Sequence, residues 1–219
     1  MIEYIFLKHL TKTNFMFYEC ESLSNINLSD FNTQNNTNIS FMFYGAKSLT
    51  NINFSNFNTQ NVEDMSFMFN GCECLEDRDI SNFNTQNTVN MSHMFYECYS
   101  LKNLNLSRFN TQNVTNMSYM FNGCKSLEDI NLSNFNTQNV KDMSYMFRKC
   151  KSLTNINLAK FNTQNVTNMN YMFNGCKSLK NINKIPKIEN IKKKIKELKC
   201  KIDNINIIFN NIIKIINNV

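Results

Sequence analysis

The chain has 219 residues, of which 42% are hydrophobic, and this content is sufficient for a continuous core and argues against a long disordered region. Its formal net charge of +6 is concentrated from Lys184 onward, where nine lysines face three acidic residues. The preceding part of the chain is neutral, which excludes a repeat region that is strongly basic throughout. Because there are only four glycines and one proline, the turns must rely on Asn, Asp and Ser.

The N-terminal segment, MIEYIFLKHL, does not resemble a secretory signal peptide. It carries an acidic residue, Glu3, its apolar run is short, and no small-residue cleavage site follows. No segment of the chain approaches the roughly 18 uninterrupted apolar residues of a membrane-spanning helix. We therefore expect neither an export signal at this position nor a membrane span.

A 26-residue repeat fills most of the chain without an insertion between copies. A fixed period of this size is typical of solenoids, in which each repeat is one coil and stacked neighbours make the core. We expect the solenoid to cover residues 1–183, with a degenerate first coil over 1–30 and regular coils over 31–183. The phrase FNTQN opens the copies that begin at Phe31, Phe57, Phe83, Phe109, Phe135 and Phe161.

Each copy predicts one short helix. In the copy that begins at Phe109, the residues Met117, Met120, Phe121 and Cys124 fall at i, i+3, i+4 and i+7. This spacing places apolar side chains on one stripe of a helix, so MSYMFNGC is predicted to form about two helical turns.

Each copy also predicts one short strand. Leu127, Ile130 and Leu132 form an L-x-x-I-x-L phrase, whose apolar residues are expected in the core, with Asp129 and Asn131 facing solvent. The polar positions of this strand face are a candidate binding surface, although ordinary solvation explains them equally well. They are Asn103, Asn105, Asp129, Asn131, Asn155 and Asn157.

Two departures from the consensus change where a side chain is expected to lie. In one, NTVN replaces NVTN, and this exchange should turn Val89 away from the core. In the other, Arg78 stands at a core Ile position. Either its side chain reaches out to solvent with its stem packed, or the strand shifts by one residue there.

The cysteines share one phase of the repeat, and Ala46 replaces Cys there in one copy. Because Ala is accepted, the position is predicted to need a small buried group, and we expect free thiols instead of disulfides or metal ligands. Cys74 and Cys200 lie outside this phase. The members of the phase are Cys20, Cys72, Cys98, Cys124, Cys150 and Cys176.

Beyond Pro186 the apolar period changes, and residues 187–219 predict a basic amphipathic C-terminal helix. Its apolar seam, which begins at Ile188, could cap the last coil or pair with a second helix, giving self-association through 188–219. Its lysines could instead bind anionic lipid or nucleic acid, although nucleic acid is not the expected partner because aromatic residues and arginine are absent from among them.

No motif of an enzyme is present. The two histidines, His9 and His93, are far apart, and no phosphate-binding glycine loop, HExxH, GxSxG or acid pair occurs. We therefore predict a protein with no catalytic activity, no cofactor and no metal.

One outward slot of the predicted helix is aromatic in nearly every copy, and this is the first candidate protein-binding strip. An exposed row of aromatic side chains suits protein recognition, whereas packing between coils is the alternative explanation. The strip consists of Phe41, Phe67, His93, Tyr119, Tyr145 and Tyr171.

The phrase L-x-x-I-N-L-S-x-F-N-T-Q-N-V-x-x-M-S-x-M-F-x-G-C-x-S-L, with Leu104 in place of Ile, runs from Leu101 to Leu127. It resembles the repeat of BspA-like leucine-rich repeat surface proteins, also described as a mycoplasma-type surface protein repeat. The resemblance covers roughly residues 13–183. It implies a leucine-rich solenoid displayed on the cell surface or outside the cell, which adheres to host, matrix or neighbouring-cell proteins.

The expected fold is therefore an α/β repeat solenoid, a right-handed leucine-rich-repeat-like stack with a short strand and a short helix per coil and a C-terminal helix. The expected function is that of a non-enzymatic protein-binding scaffold of the adhesin type. One alternative is an intracellular, cytoplasmic scaffold that oligomerises through the C-terminal helix, which the missing signal favours. Another is a peripheral binder of anionic lipid or nucleic acid through the lysine-rich tail.

Overall fold

The computed structural model describes residues 12–31 and 33–182, with the side chains of 77–79 and 181–182 left out. Each 26-residue repeat is one coil, and isolated parallel bridges join equivalent residues of successive coils. Backbone groups that lie one period apart therefore pair directly, so the repeat seen in the sequence is also the unit of stacking. The bridged residues are Lys12, Asn38, Asp64, Asn90, Asn116, Asp142 and Asn168.

Short parallel strands form in pairs on one side of the coils. The pairs are β1 with β2, β3 with β4, and β5 with β6, and each pairs residues that are one period apart, for example Ile26 with Ile52. Residues 129–131, in the coil between β4 and β5, form no strand. The strands are β1 (Asn25–Asn27), β2 (Asn51–Asn53), β3 (Asp77–Asp79), β4 (Asn103–Asn105), β5 (Asn155–Ile156) and β6 (Asn181–Ile182).

The predicted α/β class, with a short helix in every coil, is wrong. No helix forms between residues 12 and 182 where the chain is described, and the MSYMFNGC stretch is a run of consecutive turns. Tyr119 and Gly123 have φ angles of 58° and 81°, in the left-handed region. Because an α-helix needs a negative φ at every residue, these two positions prevent one from forming.

The amide groups of this stretch also have partners that a helix would not give them. The N–H groups of Met117, Tyr119 and Phe121 each donate to a carbonyl of the next coil at 2.9 Å. The N–H groups of Met120 and Asn122 donate instead to the carbonyl three residues earlier, at 3.4 and 3.0 Å. Alternate amides therefore link the coils, whereas a helix would satisfy its amides within itself.

The apolar positions are nevertheless buried where the period predicted them. Met117, Met120, Phe121 and Cys124 have no exposed surface, because successive turns direct them to the interior as a helix stripe would. The predicted strand over residues 127–132 does not form, but the predicted burial of 127, 130 and 132 and the exposure of 129 and 131 are confirmed. The core consists of columns of like side chains, one of which is formed by Phe17, Phe43, Phe69, Phe95, Phe121, Phe147 and Phe173, with ring centroids 5.3–5.6 Å apart.

The cysteine column is made of free thiols, as predicted. The Sγ atoms of Cys98, Cys124 and Cys150 each lie 3.1 Å from a backbone carbonyl oxygen of the preceding coil. Burial raises the pKa of all three thiols, which therefore stay protonated at neutral pH. Cys20 differs, since it is exposed in the first coil, and Cys200 lies outside the described residues.

Both departures from the consensus keep the coil register. Val89 is 41% exposed while Thr88 is buried and donates its hydroxyl to the Val62 carbonyl at 3.0 Å, which confirms the predicted reversal. Arg78 pairs with Leu104, one full period away, so the strand does not shift there. Its side chain lies outside the described part of the structure, as does the predicted C-terminal helix over 187–219.

Candidate protein-binding surface

From the second coil onward, an Asn or Asp residue begins the run of turns that positions the aromatic slot of the coil. In the coil of Tyr119, the Oδ1 atom of Asn116 accepts hydrogen bonds from the N–H and the hydroxyl of Ser118, at 2.9 and 2.8 Å. The same bond from the residue two positions later recurs at Asp64 and Asp142, at 2.9 and 2.7 Å. Such a bond closes a tight turn, so the next residue leaves it on the outside of the coil.

The six predicted strip residues come together in one continuous stack, which we call the aromatic ladder. Phe15 of the first coil, which was not predicted, adds a seventh ring. Adjacent ring centroids are 4.2–5.1 Å apart and adjacent planes are within 25° of parallel, which is the geometry of stacked aromatic pairs. The ladder comprises Phe15, Phe41, Phe67, His93, Tyr119, Tyr145 and Tyr171.

The ladder points outward, but for another reason than the predicted one. The first and last rings, Phe15 and Tyr171, are 49% and 59% exposed, and the five rings between them are half-buried. Since neighbouring rings cover each other's faces, the edges are what solvent reaches. The outward direction follows from the turn geometry and not from an angle around a helix.

Every ladder residue has a left-handed backbone conformation. The φ angles lie between 57° and 62°, a region that costs a residue with a side chain roughly 1–2 kcal/mol. A second left-handed position follows four residues later, and the four glycines of the chain all occupy it: Gly45, Gly71, Gly123 and Gly175. None of them occupies the ladder position, where glycine would relieve the strain.

A second aromatic position lies three residues after the ladder position in three of the coils, and sequence reasoning missed it. The rings of Tyr18 and Tyr44 stack at 4.9 Å, and Tyr96 contacts the ladder residue Tyr119 at 6.2 Å. In a later coil the guanidinium of Arg148 lies over the Tyr145 ring at 5.6 Å. The sequence feature that indicates this position is the residue after Met-Phe, which is Tyr in three of the coils and Arg148 in another.

His93 takes part in the ladder as an aromatic ring. It stacks between Phe67 at 4.2 Å and Tyr119 at 4.4 Å, and burial lowers its pKa to about 4. Its Nδ1 atom is buried, and no hydrogen-bond partner reaches it from the residues that the structure describes. The ring is therefore neutral at pH 7.

The low pKa of His93 predicts a pH dependence of stability. Because the pKa falls from an ordinary value of 6.5 to about 4 on folding, the unfolded chain binds the proton more readily between these values. The contribution is fully present above pH 6.5 and is lost as the pH falls towards 4. Thermal unfolding of the wild type should therefore show a larger loss of melting temperature between pH 7 and pH 4 than that of His93→Phe. Equal losses in the two proteins would contradict a buried neutral histidine.

The candidate strand face is exposed, but its side chains are used within their own coils. Asn105, Asn131 and Asn157 each accept the N–H of the residue two positions later, at 3.0–3.1 Å, and so close a turn. The Oδ1 atom of Asp129 accepts the N–H of Ile130 at 2.8 Å. Asn103 and Asn155 lie in β4 and β5. These local bonds give the polar positions a structural role, and their proposed binding role stays a prediction.

The described part of the chain has neither a metal-binding cluster nor a helix that could cross a membrane. No group of three His, Cys, Asp or Glu side chains there is arranged to hold a metal ion. Across the same residues, no helix has the length and apolar character needed to span a bilayer.

Comparison with known proteins gives one family. No curated protein matches the chain. The family described as "Mycoplasma protein of unknown function, DUF285" matches it twice, over residues 11–126 and 90–211, and these matches together cover most of the sequence. The chain therefore belongs to the Mycoplasma protein family of unknown function DUF285.

Proposed function

We propose that this protein is a non-enzymatic protein-binding scaffold of the adhesin type, which contacts its partner through the aromatic ladder. The observation that carries the proposal is the unbroken stack of seven outward rings across successive coils. Tyr side chains are enriched where proteins bind each other, since each offers a large apolar area and a hydroxyl.

The strained backbone of the ladder supports a role beyond filling space. Strain of this kind persists where the surrounding structure over-determines it, and it is concentrated at functional sites. The chain places glycine at the second left-handed position in four coils, with Glu19, Glu97 and Lys149 there in the others, whereas the ladder position holds a ring in every described coil and never glycine. Stacking between rings offsets part of the strain, because each aromatic pair contributes about 0.5–1.5 kcal/mol beyond its buried area.

The partner we propose is a host, matrix or neighbouring-cell protein, with the chain displayed on the cell surface. This rests on the resemblance of the repeat to BspA-like surface proteins. Antibody labelling of intact cells should detect the protein, and labelling only after permeabilisation would contradict surface display. The oligomerising and anion-binding alternatives depend on residues 187–219, which lie outside the described residues, and they stay predictions.

The ladder is tested by changing its three tyrosines together. Replacing Tyr119, Tyr145 and Tyr171 together by Ser should weaken binding to the protein partner by at least about tenfold, because aromatic anchors dominate such interfaces. Some loss of melting temperature is expected too, since the stacking at 4.4–5.1 Å is removed. Biolayer interferometry against a panel of purified matrix and plasma proteins, well below the melting temperature, measures the binding.

A matched control uses three exposed positions of the same coils, Gln112, Gln138 and Gln164, changed together to Ser. This variant should retain both binding and melting temperature. Tyr→Phe at the three ladder positions separates the hydroxyls from the stacked rings. Unchanged binding of the Ser variant, or an equal loss in the Gln control, would contradict the ladder as the binding surface.

A further inference from the structure

One column of exposed side chains beside the ladder is basic in three successive coils. Lys125, Lys151 and Lys177 occupy the same position of the repeat, and all three are exposed. The backbone holds them in line, because the N–H of Ser152 donates to the Lys125 carbonyl and that of Ser178 to the Lys151 carbonyl, both at 3.2 Å. Since paired parallel segments lie about 4.8 Å apart, the three positions span about 10 Å along the stack.

In the earlier coils, acidic residues balance the positive charge of this column. There Glu21 and Lys47 form a salt bridge at 2.6 Å, and Glu73 follows in the next coil. Tyr99 then lies under Lys125, whose Nζ is 3.5 Å from the ring centroid. For the described residues, the ion pairs are Lys47 with Glu21 and Lys102 with Glu76, so neither Lys151 nor Lys177 belongs to one.

Two more cations, Arg148 and Lys149, precede Lys151 by three and two residues in the sequence. The Arg148 guanidinium lies over the Tyr145 ring of the ladder at 5.6 Å, and its Nε atom is buried and has no hydrogen-bond partner within the described structure. Glu128 and Asp129, three and four residues after Lys125, are the acidic side chains of its coil. We call the set the basic strip, and it comprises Lys125, Arg148, Lys149, Lys151 and Lys177.

The geometry points to a binding site for a linear acidic polysaccharide that lies along the basic strip, parallel to the stacking direction. Like charges on directly neighbouring strands repel each other, and a bound polyanion would replace that repulsion with attraction. Each coil also supplies the half-buried serine that follows its lysine, namely Ser126, Ser152 or Ser178. One cation and one hydroxyl per coil match a polymer whose units carry acidic groups and hydroxyls.

The neighbouring ladder argues against single-stranded nucleic acid at this site. Proteins that bind it stack the bases on open aromatic faces. In the ladder, neighbouring rings already cover the faces of Tyr119 and Tyr145, with centroids at 4.4–5.1 Å. The strip also relies mainly on lysine, whose ammonium is a point charge, whereas the arginine fork is preferred for bidentate binding of phosphate.

The test uses the full chain, with heparin as the sulfated polysaccharide and neutral dextran as its control. Wild type should bind heparin with an affinity that falls as salt rises, and should not bind dextran. Replacing Lys125, Lys151 and Lys177 together by Glu should weaken heparin binding by at least about tenfold. Each exposed ion pair contributes up to about a factor of five in affinity. The same three positions changed to Gln provide a milder variant if the Glu variant does not fold.

The matched control changes Lys192, Lys194 and Lys196 to Glu, an equal change of charge in the C-terminal tail. This variant should bind heparin within about twofold of the wild type. A heparin affinity that is lost in the tail variant and kept in the strip variant would overturn the proposal, as would salt-independent binding. Equal or tighter binding of a single-stranded oligonucleotide or of polyglutamate would overturn the choice of ligand. None of these outcomes depends on the ladder, because its residues are unchanged.

Discussion

Replacing Phe121 by alanine should lower the free energy of unfolding by about 4 kcal/mol. The ring has no exposed surface, and its centroid is 5.6 Å from that of Phe95 and 5.4 Å from that of Phe147. The cavity cannot collapse easily, because amide groups on both sides of Phe121 are bonded to the next coil and fix the spacing. Urea unfolding of the wild type and the variant measures the difference.

Phe121→Leu is the matched variant, since it keeps an apolar side chain and should cost about 1.5 kcal/mol or less. A loss below about 1 kcal/mol for the alanine variant would contradict a close-packed phenylalanine column. The comparison therefore separates the shape of the ring from the mere presence of a hydrophobic residue.

Thr85→Val should lower the free energy of unfolding by about 2–4 kcal/mol, although the two side chains have nearly the same shape. The Thr85 hydroxyl donates to the Asn110 carbonyl at 2.9 Å and accepts the Asn110 N–H at 2.8 Å, and the residue is fully buried. Valine would leave both backbone groups of Asn110 without this partner. Thermal and urea unfolding would report the loss.

The control for this change is Thr154→Val. Its hydroxyl also donates to a carbonyl of an adjacent coil, here the preceding one, that of Glu128 at 3.3 Å, but the site is exposed and water can replace the bond. We expect an effect within about 0.5 kcal/mol. If the two variants lost the same stability, the threonine of the FNTQN phrase would not be a link between coils.

Much of the packing was predictable because it depends on which residues recur in phase. The burial of Phe121 and Cys124 and the outward turn of Val89 all followed from comparing copies of the repeat. Such comparison identifies the side of the coil on which a residue lies. It does not identify the backbone conformation that places it there.

The secondary structure of the coil was not predictable in this way. An i, i+3, i+4, i+7 pattern fits a helix, yet consecutive turns bury the same residues. The deciding partners of the Tyr119 and Phe121 amides are carbonyls of the next coil, 25 residues away, which no local pattern reveals. The bonding partner of Thr85 also lies in another coil, and its local sequence is that of an ordinary polar turn.

Of the aromatic ladder and the basic strip, the ladder was predicted from the sequence and the basic strip was not. The ladder was found because its slot is aromatic in nearly every copy, and Phe15 was missed because the first coil is degenerate. The lysines at 125, 151 and 177 are not evident from the net charge, because the tail dominates it and these three residues lie 26 positions apart. A comparison of equivalent positions in successive coils identifies these three lysines as one column.

The hydrogen bonds between coils that involve side chains join residues only 25 to 29 positions apart. The loop that must close to form each new coil thus has nearly the same length wherever it occurs, and loop-closure entropy changes little with such small differences. Relative contact order must then fall as coils are added, so a longer array should nucleate on any adjacent pair and grow outward without folding more slowly. Topology therefore places no kinetic limit on how many copies a descendant of this chain could carry.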